Sequence, residues 1–178
     1  SRDPKVLATC DIVVDVGGEY DPARHRYDHH MREFTETAQT VLKRSDCPWD
    51  IKLSSAGLIY CHFGHQVIKQ MLPEIMDDDD IHSIFKKVYN SLIKEVDAID
   101  NGVPMFEGEP KYYITTHLGA RVGRLNPSWN TIGLDLDEQF AKAVDLCGEE
   151  FKYYLNNAAS VWLPARSLVR QAIEKRYE

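Results

Sequence analysis

Asp15, the doublet His29-His30 and the pair Asp97 and Asp100 are the residues here whose types and settings suit chemistry. Asp15 closes the apolar run Ile12-Val13-Val14 and is followed by Val16-Gly17-Gly18. An unpaired carboxylate in apolar surroundings costs on the order of several kcal/mol, so backbone N–H groups, a base or a metal ion must compensate it. Capping the following turn is the plainer use. Asp28-His29-His30 comes next, just after Arg24-His25-Arg26. Adjacent histidines offer nitrogen ligands, and a neighbouring carboxylate can orient one of the rings. A mixed carboxylate and imidazole set suits Mn²⁺ or another divalent first-row ion better than a thiolate-type zinc site. Asp97 and Asp100 precede Asn101-Gly102 at the end of a predicted helix. Negative charge there opposes the helix dipole, so a cation or another donor is expected to face it. Asn101-Gly102 is explained by helix capping alone, but the two carboxylates are not.

The elements that position these residues read as an α/β, helix-rich arrangement. Residues 11–16 predict a buried strand, nearly continuous in apolar character and so suited to a parallel sheet covered on both faces. Such a strand ending at Gly17-Gly18 places Asp15 at the carboxyl edge of a sheet, where ligands bind in open parallel sheets. Residues 19–36 read as a long polar loop with a short helical turn. Ser54 or Ser55 caps a helix to about Leu72, with Ala56, Ile59, Tyr60, Phe63, Val67 and Met71 as its apolar stripe and Pro73 as its stop. Asp77–Asp80 precede a second helix from about Ile81 to Ile99, where acidic residues complement the dipole. Tyr112–Thr116 suits a short strand or the lead into a helix across His117–Leu125. Helices are predicted from about Leu136 to Ala159 and from Pro164 onward. One confident strand has too few sheet neighbours, so its missing partners are expected outside this sequence or from a second chain. An open sheet edge of this kind would favour oligomerisation.

Composition excludes several classes. The 178 residues are 43% hydrophobic and 28% charged, which argues against wholesale disorder. The formal charge of −7 argues against a protein that coats DNA through a basic excess. It is compatible with metal ions set between protein carboxylates and a phosphate. No apolar run approaches the length of a membrane span, so no membrane partner is expected. Cys10, Cys47, Cys61 and Cys147 stand far apart, which predicts free thiols in a reducing compartment and excludes a zinc ribbon. Arg121 and Arg124, three residues apart, can share a helix face and bind phosphate, or serve as a structural pair. His62 and His65 suit packing, His117 has no assignment, and Trp49, Trp129 and Trp162 read as packing anchors.

The motifs V-V-D-V-G at 13–17 and D-H-H at 28–30, with a carboxylate at a helix end, resemble the DHH phosphoesterase superfamily. Further stretches are similar to the melanocyte-proliferating-gene exonuclease family: H-R-Y-D-H-H at 25–30, K-L-S-S-A-G-L-I-Y at 52–60, E-V-D-A-I-D-N-G at 95–102, A-R-V-G-R-L-N-P-S-W-N at 120–130 and W-L-P-A-R at 162–166. The resemblance implies an incomplete DHH-type parallel-sheet domain over 1–130 and a helical segment over 131–178 leading to a second domain. It implies a hydrolase with two divalent ions, Mn²⁺ or Mg²⁺, and RNA or another phosphodiester as substrate. The full-length activity would be that of a 3'-5' RNA exonuclease, in nucleus and mitochondrion. Asp15 would bridge the metals, His29 would bind one of them, and Asp100, or else Asp97, would complete the second. His30, with Asp28, would face the substrate phosphate, and Arg121 and Arg124 remain candidates for phosphate contact. The family's upstream H-x-H-x-D-E-like ligand segment has no counterpart here. The rival expectation is therefore a non-catalytic regulatory or scaffold fragment that keeps the fold.

Overall fold

A computed structural model describes residues 2–177, which form two compact units. The first comprises the residues up to 73 together with 93–105, and the second 74–92 together with those from 106 onward.

The first unit opens with helix α1 (Pro4–Leu7), whose first turn Asp3 caps by accepting from the Lys5 N–H. Strands β1 (Val13–Val14), β2 (Tyr20–Asp21) and β3 (Arg26–Tyr27) follow, with a 3-10 turn at Pro22–Arg24 between the last two. They form one sheet in the order β1-β3-β2. β1 runs parallel to β3, with Val13 opposite Arg26 and Val14 opposite Tyr27. β2 runs antiparallel to β3, with Tyr20 opposite Tyr27. This corrects two expectations. The polar segment 19–36 is not all loop, and it supplies the partner of the first strand from within the chain. Only Val13 of the apolar run is buried, whereas Ile12 and Val14 are exposed, so the strand is not covered on both faces. The second edge of β1 has no partner among the described residues. β3 is hard to see in the sequence because one buried ring anchors it. Tyr27 is buried and packs edge-on against Phe63, while Arg26 ties the strand to the carbonyls of Leu7 and Cys10.

Helix α2 (Ala38–Leu42) is closed by a reciprocal capping box between Thr37 and Thr40. Helix α3 (Ser55–Met71) starts at Ser54, whose hydroxyl accepts from the Gly57 N–H at 3.1 Å. The predicted stripe holds in part: Tyr60 is buried and Ile59, Phe63 and Val67 are half-buried, whereas Ala56 and Met71 are exposed and Gly57, Leu58, Cys61, Gly64 and Ile68 complete the buried side. Small residues let neighbouring backbone approach, so the contact face is marked by glycine as much as by large apolar groups. The predicted helix from Ile81 to Ile99 is interrupted. It consists of α4 (Asp78–Val88), a π turn at Tyr89–Ile93 and α5 (Lys94–Asp100). The wider turn shifts the helical phase. Asp97 is consequently the residue of α5 that is fully buried, while Ile99 is exposed.

In the second unit, Asp77 caps α4 through the N–H groups of Asp79 and Asp80. Helix α6 (Leu118–Gly123) is capped by the His117 ring, which accepts from the Ala120 N–H. Helix α7 (Leu136–Asn157) passes through a π turn at Ala158–Trp162 into α8 (Leu163–Glu174), with Pro164 directly after that wider turn, a place where irregularities of the helical ladder and proline go together. α4 packs against both α7 and α8. Tyr112–Thr116 form no strand, and Tyr112 and Tyr113 are exposed. Trp49 is buried and Trp162 lies beneath Lys87 and Arg166, but Trp129 is 98% exposed and anchors nothing. All four cysteines are free thiols. Among the described residues no helix is long and apolar enough to cross a membrane.

Candidate metal centre

Asp15 follows β1 directly, and its N–H continues the β1–β3 ladder by donating to the Tyr27 carbonyl at 3.1 Å. Its φ of 66° lies in the left-handed region, a conformation that costs a non-glycine residue about 1–2 kcal/mol. The turn leaves its carboxylate 60% exposed with Oδ1 3.7 Å from His29 Nδ1. Gly17 and Gly18 continue with positive φ, and the Gly18 N–H donates to Asp28 Oδ2 at 2.7 Å. The glycine turn after the strand and the D-H-H turn are thereby joined.

His29 is buried, and its ring lies 4.3 Å from that of His30 between centroids. Nε2 stands 3.0 Å from Asp100 Oδ2 at the end of α5. On the other side of the ring, Nδ1 accepts from the Ser55 N–H at 3.2 Å and lies 2.9 Å from Ser55 Oγ. Burial lowers the His29 pKa and His30 adds to that, while Asp100, Asp15 and Asp28 oppose it. The ring is thus held as neutral imidazole, the form that binds metals.

Asp28 is buried and works on His30. Its Oδ1 lies 2.6 Å from His30 Nδ1 and accepts from the His30 N–H at 3.1 Å. Burial alone would raise the Asp28 pKa, but the hydrogen bonds from the His30 ring and from the Gly18 and His30 N–H groups outweigh it and lower it. The Asp28 hydrogen bond in turn raises the His30 pKa. The two histidines are adjacent in sequence and opposite in character. His29 is kept neutral inside, and His30 is held toward imidazolium with a half-exposed ring.

Asp15, His29 and His30 each present a donor atom, all within 4.8 Å of one another. The carboxylate and imidazole donors of this trio are of the kind that suits a divalent first-row cation, and Asp100 Oδ2 stands beside it, 3.0 Å from His29 Nε2.

The structure parts the two helix-end aspartates. Asp100 faces His29, whereas Asp97 Oδ1 accepts from both Ser54 N–H at 2.9 Å and Ser54 Oγ at 2.7 Å. A Cβ on Gly57 would stand 2.6 Å from Asp97 Oδ2. Asp97 thus braces the start of α3. Arg121 pairs closely with Glu150 and Arg124 donates to the Thr115 carbonyl, so both guanidinium groups are engaged within the second unit. Sequence reasoning marked Ser54 as a cap but missed its link to Asp97 and the link of Ser55 to His29. No local pattern signals contacts across 43 and 26 residues. A pocket of about 330 Å³ adjoins the turn, lined by Gly18, Tyr20, Met31, Phe34, Glu33 and Glu36 among others.

The molecule is therefore a helix-rich α/β protein with a carboxylate–imidazole cluster beside a small mixed sheet. It belongs to the MYG1 exonuclease family, whose model, described as "Uncharacterised protein family (UPF0160)", matches residues 1–178. The chain is 52% identical over 179 residues to the MYG1 exonuclease of Bos taurus, covering 100% of this chain and 46% of that protein. It is 51% identical over 179 residues to the MYG1 exonuclease of Homo sapiens, covering 100% of this chain and 47% of that protein. It is 42% identical over 178 residues to the MYG1 protein C27H6.8 of Caenorhabditis elegans, covering 100% of this chain and 52% of that protein. The chain thus spans about half the length of these relatives. No solved structure gives a significant match.

Proposed function

We propose that this chain carries part of the metal centre of a phosphodiester hydrolase, an exonuclease acting from RNA ends with a DHH-type site. The observation that supports the reading is the cluster of donor atoms from Asp15, His29 and His30, all within 4.8 Å of one another, with Asp100 Oδ2 3.0 Å from His29 Nε2. The relatives named exonucleases supply the substrate class.

Asp15, His29 and Asp100 would hold Mn²⁺ or Mg²⁺. A divalent ion in such a site lowers the pKa of bound water and offsets charge on a phosphoryl oxygen. His30 has a separate task. Asp28 holds its Nδ1 side and favours the protonated ring, so Nε2–H is free to donate to a phosphate oxygen. Asp28 reaches neither substrate nor metal and acts through His30. The pocket beside Gly18 and Met31 would take the sugar or base next to the scissile phosphate.

Calorimetric titration of the full-length protein with Mn²⁺ tests the reading. Saturable binding is expected, weakened by His29→Ala and by Asp100→Ala. Release of nucleotides from an end-labelled oligoribonucleotide is then measured in the same protein. Full-length wild-type protein that takes up no more Mn²⁺ than its His29→Ala variant would refute the metal centre.

A further inference from the structure

Ser55 presents two groups of opposite hydrogen-bonding character to one atom, His29 Nδ1. Its backbone N–H is a donor at 3.2 Å, and its hydroxyl oxygen, at 2.9 Å, can either donate or accept. The N–H belongs to the first turn of α3, where backbone donors have no helical acceptor. As long as it donates to Nδ1, the neutral ring carries its proton on Nε2, and Nε2–H points at Asp100 Oδ2, 3.0 Å away. Were a cation held by Nε2, that nitrogen would have to be free of its proton. The neutral ring would then carry its proton on Nδ1, and Nδ1–H would need an acceptor. The backbone N–H cannot accept. Asp15 Oδ1 is 3.7 Å away, beyond hydrogen-bond range, which leaves Ser55 Oγ.

We infer that Ser55 is a positioning residue for the metal centre: its N–H sets the His29 tautomer without metal, and its hydroxyl accepts the relocated proton when a cation binds. Proton balance is simple. The Nε2 proton leaves to solvent as the metal arrives and Nδ1 gains one from solvent, so His29 stays neutral throughout. The inference rests on the metal-centre reading and adds a residue to it. Ser55 is suited to the task because capping of α3 falls to Ser54. Its own hydroxyl is therefore not needed to start the helix.

The test uses the full-length protein with ¹⁵N-labelled histidine, wild type, Ser55→Ala and Ser55→Thr. Long-range ¹H–¹⁵N correlation reads which ring nitrogen of His29 is protonated, with Zn²⁺ as the diamagnetic probe. Calorimetry reads Mn²⁺ affinity. Without metal, all three chains are expected to show the Nε2–H ring, because the backbone donor survives every substitution. With Zn²⁺, the wild-type proton is expected on Nδ1. Mn²⁺ affinity should fall about 10–100-fold in Ser55→Ala, the usual loss for a group that orients a metal-binding histidine, and recover in Ser55→Thr. Equal affinity in wild type and Ser55→Ala overturns the role of Ser55 while leaving the metal centre intact. A metal-free ring protonated on Nδ1, or a loaded ring that is not, overturns it as well. Full-length wild-type protein that binds neither ion overturns both readings.

Discussion

Asp97 and Asp100 lie one helical turn apart, and removing each should break a different property. Asp97 is fully buried and receives two hydrogen bonds from Ser54, itself buried. In Asp97→Ala the Ser54 N–H loses its acceptor, at about 1–3 kcal/mol for an unsatisfied buried donor. The Ser54 hydroxyl loses a bond to a charged partner, worth about 1.5–3 kcal/mol. Together these give about 2.5–6 kcal/mol, a large part of a typical domain's stability. With a urea slope of about 2 kcal/mol/M, the unfolding midpoint should fall by about 1.3–3 M. Asp97→Asn keeps an oxygen at the same place and should lose only about 1 kcal/mol. Asp100, with a side chain 48% exposed, should change stability by less than about 0.5 kcal/mol when replaced by alanine, yet should weaken Mn²⁺ binding. Urea unfolding followed by circular dichroism, with Mn²⁺ calorimetry on the same samples, reads both properties. An unchanged midpoint in Asp97→Ala alongside a loss of Mn²⁺ as deep as in Asp100→Ala would refute the division.

Gly57→Ala should destabilise the chain by about 1–3 kcal/mol, because the added carbon meets Asp97 Cγ at 2.7 Å; the penalty overrides the helix preference for alanine and shows as a lower melting temperature. His30→Ala should leave Mn²⁺ bound but slow phosphodiester cleavage by about 10²–10³ in the full-length protein, whereas His29→Ala should lose the metal; comparison of bound manganese with rate decides. His62 packs against Tyr20, Tyr27 and Phe63, and its Nε2 lies 2.9 Å from the Tyr20 hydroxyl. Burial and then His25 lower its pKa below the ordinary 6.5. The unfolded chain therefore binds the proton first, so His62 destabilises the fold as pH falls from 6.5 toward its folded value. Urea midpoints at pH 7 and pH 5 should differ less in His62→Gln than in wild type.

The candidate donors stand out in the sequence because each breaks a local rule. Asp15 interrupts an apolar run, the histidine doublet sits among charges, and Asp100 opposes a helix dipole. Which helix-end aspartate faces the cluster was not legible. That depends on the π turn at Tyr89–Ile93, whose residues include neither proline nor glycine. Without it, Ile81 to Ile99 reads as one helix with Val96 and Ile99 inward. The sheet was misread for a different reason. β2 and β3 span two residues each, too few for alternation to register, and the pairing rests on Tyr27. Part of the buried face of α3 escaped because Gly57 and Gly64 carry no hydrophobic signal, although both are buried and Asp97 closes on Gly57.

These misreadings meet at one point, the start of α3, and that point has a consequence for the site. Ser54 takes the Asp97 carboxylate and Ser55 takes the His29 ring, so consecutive residues connect α5 to the D-H-H turn. Asp100 reaches His29 from the same α5 that Asp97 fixes against Ser54. The 3.0 Å spacing between Asp100 and His29 is therefore inherited from a contact that touches neither donor. A metal shell built from loop residues alone would tolerate drift. Here one candidate ligand, Asp100, is carried on α5, the other, His29, is held by the first N–H of α3, and the Asp97–Ser54 contact ties those two helices together. Loosening Asp97 should consequently weaken metal binding as well as stability, but in proportion to the loss of folded structure. In Asp97→Asn, where the brace is retained, Mn²⁺ affinity should stay within a few-fold of wild type.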